Sequence, residues 1–230
     1  MSCDMPLVTM GRLCYHPCMN VFELHKIAIE IQDFEELYDT FDEGHDRRHE
    51  EEVATLAKKL ARAKGVKDLE VVELAARLHD IGRAEGRERH AVTSARMIRE
   101  DERFDELGKR RKEILLSAVR NHMKHTGEHT KIIDKVVSDA DDAAGWRSPA
   151  AAIHRSYFWG KKNHPEWTKK ENLLNAVDFL AKEYDPKTGP AMKTYFPETK
   201  AYILKSWRTI KELSESHDYE KIKKLLDSEM

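Results

Sequence analysis

Four residues scattered along the chain carry groups that hold or move charge at positions where a helix should present apolar side chains: His49, the adjacent pair His79 and Asp80, and Asp139. Behind His49 the residues Val53, Leu56, Ala57 and Leu60 recur at helical spacing, so His49 opens the buried face of its helix. Val71, Leu74, Ala75 and Leu78 form a second stripe, and His79, four residues after Ala75, continues it. Asp139 stands three residues after Val136 and seven after Ile132, which turns its carboxylate inward. A carboxylate buried alone must either stay charged at a large desolvation cost or take up a proton. Coordination to a divalent cation removes that cost. A single inward histidine is otherwise a hydrogen-bonded core residue, and a single inward aspartate a helix cap or half of an ion pair. Two His and two Asp together match the ligand preferences of Mn, Fe, Co, Ni or Mg rather than the thiolate-rich ones of structural zinc.

The ordered set resembles the HD-domain superfamily of metal-dependent phosphohydrolases, in its small stand-alone form. Three motifs carry the resemblance: the pair His45 and His49 at His-x3-His spacing, Leu78-His79-Asp80-Ile81-Gly82 ending an apolar helix, and the run Val137-Ser138-Asp139-Ala140-Asp141. Residues 150–160 and 173–213, with Thr188-Gly189, are similar to the C-terminal helices of such hydrolases, so the likeness runs from about residue 41 to residue 214. It implies metal ligands at His49, His79, Asp80 and Asp139. It also implies ligands for a second ion at His90 and His122. Both point inward by their own register, His90 with Ser94, Met97 and Ile98, and His122 after Leu115, Ala118 and Val119. The alternative for that pair is to line the pocket and bind phosphate without touching metal. One or two divalent ions are therefore expected.

The expected chemistry is hydrolysis of a small-molecule phosphate ester, a nucleotide first among them. A bound ion brings a water toward ionisation at neutral pH and polarises phosphorus. Asp80 would bridge two ions or orient the nucleophile. Arg83, one helical turn on, matches by position the basic residue that contacts phosphate in the His-Asp-Ile-Gly-Lys version of the motif; otherwise it is a solvent-facing cap at a helix end. Asp80 and Arg83 are thus the expected catalytic pair, with Lys124, His125 and Arg147 as further substrate contacts. His125 suits a ligand, a proton donor or a surface residue. Lys161 and Lys162 are candidates of the same kind, each equally a solvated charge, and Trp146, Tyr157, Phe158 and Trp159 form either a base-stacking set or part of the core. Two departures bear on substrate choice: Glu85 and Glu88 are only candidates for the carboxylate that some nucleotidase-like relatives place after the His-Asp pair, and Asp139-Ala140-Asp141-Asp142-Ala143-Ala144 lacks the last Asp of Asp-Ala-Asp-Arg-Leu-Asp. Two other classes suit the same ligands: a diiron oxygenase, and a non-catalytic nucleotide sensor.

The elements that must position these residues read as helix after helix. Helical patterns cover 21–39, 46–64 ended by Gly65, 68–81 ended by Gly82, 90–100, 105–124, 128–144 ended by Gly145, and 149–159. An aromatic and basic loop follows at 159–165, then helices at 168–184 and 198–214 and a short charged tail helix. Alternating β-branched strands are almost absent, so the expected class is all-α: a flexible extension at 1–20, a helical hydrolase domain at 21–214 and the tail at 215–230. Lys plus Arg number 40 against 42 Asp plus Glu, a net charge of −2, so no global basic field points to nucleic acid. No run of about 18 apolar residues points to a membrane. The three cysteines all precede residue 19, and Cys14-x3-Cys18 fits no zinc motif, which favours a reducing, cytoplasmic setting. Phosphate loops, G-x-G-x-x-G, G-x-S-x-G and H-E-x-x-H are absent, and ten glycines leave phosphate binding to side chains.

Overall fold

The computed structural model describes residues 31–41, 44–123 and 128–229. Among them it holds ten α-helices and no strand, so the class is all-α. The helices are α1 (Gln32–Leu37), α2 (Arg47–Ala63), α3 (Leu69–Leu78), α4 (His90–Glu100), α5 (Gly108–Arg120), α6 (Ile132–Ala144), α7 (Pro149–Asn163), α8 (Lys169–Glu183), α9 (Pro197–Ser216) and α10 (Tyr219–Glu229). None of them is long and apolar enough to cross a membrane. The expected extension at 1–20, with its cysteines, and the first part of the expected helix at 21–39 lie outside the described residues.

Local chemistry sets the helix that brings His49 in. Asp46 accepts the amide of His49 at 3.0 Å as the N-cap of α2. At the other end Gly65 takes φ +70, with Gly65 N bonded to Arg62 O and Val66 N to Ala61 O, a Schellman stop that only glycine adopts without strain. Between these ends Val53, Leu56, Ala57 and Leu60 are buried against α3 and α6. Each large member of that stripe contributes about 1.5–3 kcal/mol by leaving water. Truncating Leu60 to Ala would remove that contribution and leave a cavity behind.

Two cores result. The first collects the inner faces of α1 to α6; the second collects those of α7 to α10. They exchange one residue each at the seam: Phe196, heading α9, lies in the first core, and Trp146, just after α6, lies in the second. The tail helix α10 docks on the second core through buried Ile222.

Helix α5 ends at Arg120 and α6 starts at Ile132, inside the expected 105–124 and 128–144, and three further boundaries differ. Helix α3 ends at Leu78, and Ile81–Glu85 tightens into a 3-10 turn that packs on α4. A Cβ on Gly82 would sit 2.3 Å from the carbonyl oxygen of His90 and 2.5 Å from Ser94 N, so only glycine permits this approach. The expected helix at 105–124 begins as a 3-10 turn over Glu102–Leu107 and restarts at Gly108, where φ is +71. Helix α7 continues through the expected loop to Asn163, because Gly160 lets Asn172 of α8 come so close that any Cβ would meet its Oδ1. Asn172 Nδ2 then donates to Tyr157 O at 3.0 Å and clamps α7 to α8.

Candidate metal centre

Five helix ends or turns converge on one pocket in the first core. His49 comes from the first turn of α2, His79 and Asp80 from the end of α3, His90 from the start of α4, His122 from just beyond α5, and Asp141 from α6. They form two triads, His49 with His79 and Asp141, and Asp80 with His90 and His122. Within each triad the ligand atoms lie within 4.8 Å of one another. His49 Nε2 stands 3.1 Å and His79 Nε2 3.8 Å from Asp141 Oδ1. His90 Nε2 stands 2.9 Å and His122 Nε2 3.5 Å from Asp80 Oδ1. The triads touch, since His79 Nε2 is also 3.7 Å from Asp80 Oδ2 and the rings of His79 and His122 are 5.0 Å apart.

Hydrogen bonds at the backs of the rings determine which nitrogen faces the pocket. His79, His90 and His122 each bond through Nδ1 to the carbonyl oxygen three residues earlier, at 2.6, 2.8 and 2.7 Å. A carbonyl oxygen only accepts, so each Nδ1 carries the hydrogen and each neutral ring turns a bare Nε2 lone pair inward. His90 Nε2 and His122 Nε2 then face each other at 3.2 Å with no hydrogen between them. His79 Nε2 and Asp80 Oδ1 are buried and make no hydrogen bond. Lone pairs converging without donors, beside two carboxylates, fit a divalent cation in both composition and arrangement.

The electrostatics keep both carboxylates ionised and His79 neutral. Burial opposes the charge on Asp80, yet the neighbouring imidazoles, His79 first, and the Arg83 guanidinium outweigh it and hold the carboxyl well below the usual range. Asp141 is likewise held well below despite burial, by the hydrogen bond from His49 and the neighbouring imidazoles. Burial pushes His79 down to about 4, against the pull of Asp80 and Asp141. His122 rises despite burial, through its contact with Asp80. Behind the site Tyr38 is fully buried; its hydroxyl donates to Arg77 O at 2.8 Å and accepts Asp80 N at 3.2 Å, fixing the backbone that presents Asp80.

The structure brings together His49, His79, Asp80, His90 and His122 but places Asp139 elsewhere. The Asp139 carboxylate accepts Tyr195 N at 3.0 Å and Phe196 N at 2.9 Å, tying α6 to the head of α9. Its charge sits against a helix N-terminus, which stabilises an anion without any metal. Asp141, two residues on, stands in the triad with His49 and His79 instead. A signal was present in the sequence: Asp141 follows Val137 and precedes Ala144 at helical spacing, on a second inward face of α6.

Arg83 is not a solvent-facing cap. Its Nε donates to Asp80 Oδ2 at 2.5 Å, and it lines an open pocket of about 220 Å³ with His90, His122, Asp141, Arg155 and Lys193. Glu85 instead pairs with Arg96 on the surface, and Glu88 is exposed. Arg147 lines a different cleft, with Arg48, Ser148 and His154 at the head of α7. Lys124 and His125 lie outside the described residues. Trp146 is core, and Tyr157 is packed against it; Phe158, Trp159, Lys161 and Lys162 line a further cleft beside His45. Arg155, which no motif singled out, donates through Nη2 to His45 Nε2 at 3.3 Å. Burial, then the charges of Arg155 and Arg83, push His45 down to about 2.

Comparison with known families is consistent with this geometry. The model of the HD domain matches residues 47–145, a span that runs from α2 to the end of α6 and contains all six residues of the two triads. Neither the curated proteins nor the solved structures give a match. The segment 47–145, with its candidate His and Asp metal site, is thus similar to the HD domain.

Proposed function

We propose that the protein is a metal-dependent phosphohydrolase acting on a nucleotide or a related small phosphate ester. The observation that carries this reading is the pair of back-anchored rings, His90 and His122, whose bare Nε2 atoms face each other 3.2 Å apart beside Asp80. A divalent ion held there supplies acidity to a water and polarises the phosphoryl group. In hydrolysis the water oxygen bonds to phosphorus, the bond from phosphorus to the leaving oxygen breaks, and the water gives up a proton while the leaving oxygen gains one. Asp80 is ionised and hydrogen-bonded to Arg83, so it orients the guanidinium at the mouth of the site. Arg83 there meets the charge that grows on the phosphoryl oxygens. The adjoining pocket admits a phosphate ester from solvent next to both triads.

Metal analysis of the full chain, followed by phosphate release from a nucleotide panel with Mn or Co, tests the proposal. Turnover is expected in the wild type and its loss in His79→Ala and Asp80→Ala variants that still fold. No turnover on any phosphate ester sinks it. The six-residue double triad also suits a pair of iron ions, which favours a diiron oxygenase as the second reading. Tightly held iron with oxygen consumption supports that reading, and good activity in an iron-free Mn form counts against it.

A further inference from the structure

Arg155 of α7 joins two cavities. On one side it lines the pocket of Arg83, His90, His122 and Asp141. On the other it lines a cleft of about 520 Å³ with His45, Arg87, Phe158, Trp159, Lys161 and Lys162. Its guanidinium bonds His45 through Nη2, and Nη1 lies so near Gly145 that a Cβ there would stand 2.6 Å from it. The cleft has the size of a small-molecule site, with two aromatic walls.

The charges that line this cleft exceed what one phosphoryl group needs. Four of its eight lining residues are Arg or Lys, and none of the eight is acidic. Lys161 and Lys162 fall in the last turn of α7, where the helix dipole alone favours cations. That does not account for Arg155, which is partly buried in the middle of the helix and directed to the boundary between the cleft and the metal pocket. A group reacting at the triads already has Arg83 beside it. The cations farther out therefore face a different part of the same molecule.

We propose that Arg155, with Lys161 and Lys162, holds a second anionic group of the substrate, so that the molecule hydrolysed is a phosphorylated polyanion rather than an ester with one phosphate and a neutral remainder. This rests on the phosphohydrolase reading above. A guanidinium positioned at the junction binds a phosphate oxygen pair in a fixed orientation, which a lysine would not do. The lysines and the aromatic wall then receive what lies beyond it.

The test compares AMP, adenosine 3′,5′-bisphosphate and ATP on the full-length, Mn-loaded protein, in the wild type and in three variants: Arg155→Gln, Lys161→Gln with Lys162→Gln, and Gly145→Ala. Gly145 has φ −64, so alanine fits its backbone, and only the tip of Arg155 must move. That variant keeps the fold while displacing the guanidinium. At least one polyanion should exceed AMP in kcat/KM by more than tenfold, the bisphosphate and ATP arms showing where the second charge sits. Each variant should lower that preference by about ten- to a hundredfold, mainly through KM. Equal use of AMP and both polyanions, or a preference the variants leave intact, overturns the inference while leaving the phosphohydrolase reading standing. If no ester is turned over, calorimetric binding of inorganic pyrophosphate decides: weaker binding in the variants upholds the polyanion cleft although the hydrolase reading has failed, and equal binding overturns it.

Discussion

Replacing Asp139 and Asp141 one at a time by Asn should separate two roles that lie two residues apart on the same helix. Asp139 is fully buried and satisfies the amides of Tyr195 and Phe196 with three contacts of 2.9–3.0 Å. A hydrogen bond to a charged group contributes about 1.5–3 kcal/mol. Asparagine keeps one acceptor oxygen and turns an NH2 toward a backbone N–H, so about one such bond is lost and a donor is left facing a donor. Together these amount to about 3 kcal/mol. For a chain of this size that corresponds to a fall in Tm of about 6–12 °C. The metal content of Asp139→Asn should stay at the wild-type value. Asp141 is the reverse case. Its side chain is 20% exposed and its partners are His49 and His79, so the Asn variant should melt near the metal-free wild type and lose affinity for one ion by more than about a hundredfold. Scanning calorimetry on metal-free protein and elemental analysis of the reloaded variants give both readouts. If Asp139→Asn lost an equivalent of metal with Tm unmoved, and Asp141→Asn kept its metal, the assignment of the two carboxylates would be refuted.

Gly82→Ala should lower Tm by about 6–12 °C, since overpacking against the backbone of His90 and Ser94 costs about 3 kcal/mol, and calorimetry measures it; an unchanged Tm would contradict the close approach. Tyr38→Phe removes the donor to Arg77 O and the acceptor of Asp80 N, and should destabilise by about 1–3 kcal/mol in urea titrations with a fall in kcat. His90→Ala or His122→Ala should reduce bound metal from two equivalents to one, read by elemental analysis, whereas loss of both ions would mean that the triads do not act separately.

Five of the six candidate ligands were legible in the sequence. His49, His79, His90 and His122 each open, close or extend the buried face of a helix, and Asp80 comes with His79. The carboxylate on α6 was not legible, because that helix is covered on nearly every side: Val136, Val137, Asp139, Ala140, Ala143 and Ala144 are all buried. Periodicity cannot choose between two inward aspartates when there is no outward face to contrast them. What separates them is a pair of amides 56 and 57 residues away. The same limit explains the other differences. Gly160 reads as a breaker locally, yet it is the point where α8 comes closest, so tertiary contact keeps α7 helical. Arg155 passed unnoticed because a basic residue in mid-helix carries no local mark of the two cavities that meet at its side chain.

The bonds from three ring Nδ1 atoms to carbonyls one turn back have a consequence for how the centre is loaded. The rings are aimed by the backbone three residues before them, not by an ion, so the folded chain offers its lone pairs in position from the start. Loading and stripping can then proceed without refolding, and competing divalent ions meet the same rigid donors. With rigid donors of mixed nitrogen and oxygen type, occupancy follows the intrinsic order of metal affinities and the supply of ions in the surrounding medium. The ion found after purification therefore reports the conditions of growth as much as the preference of the protein.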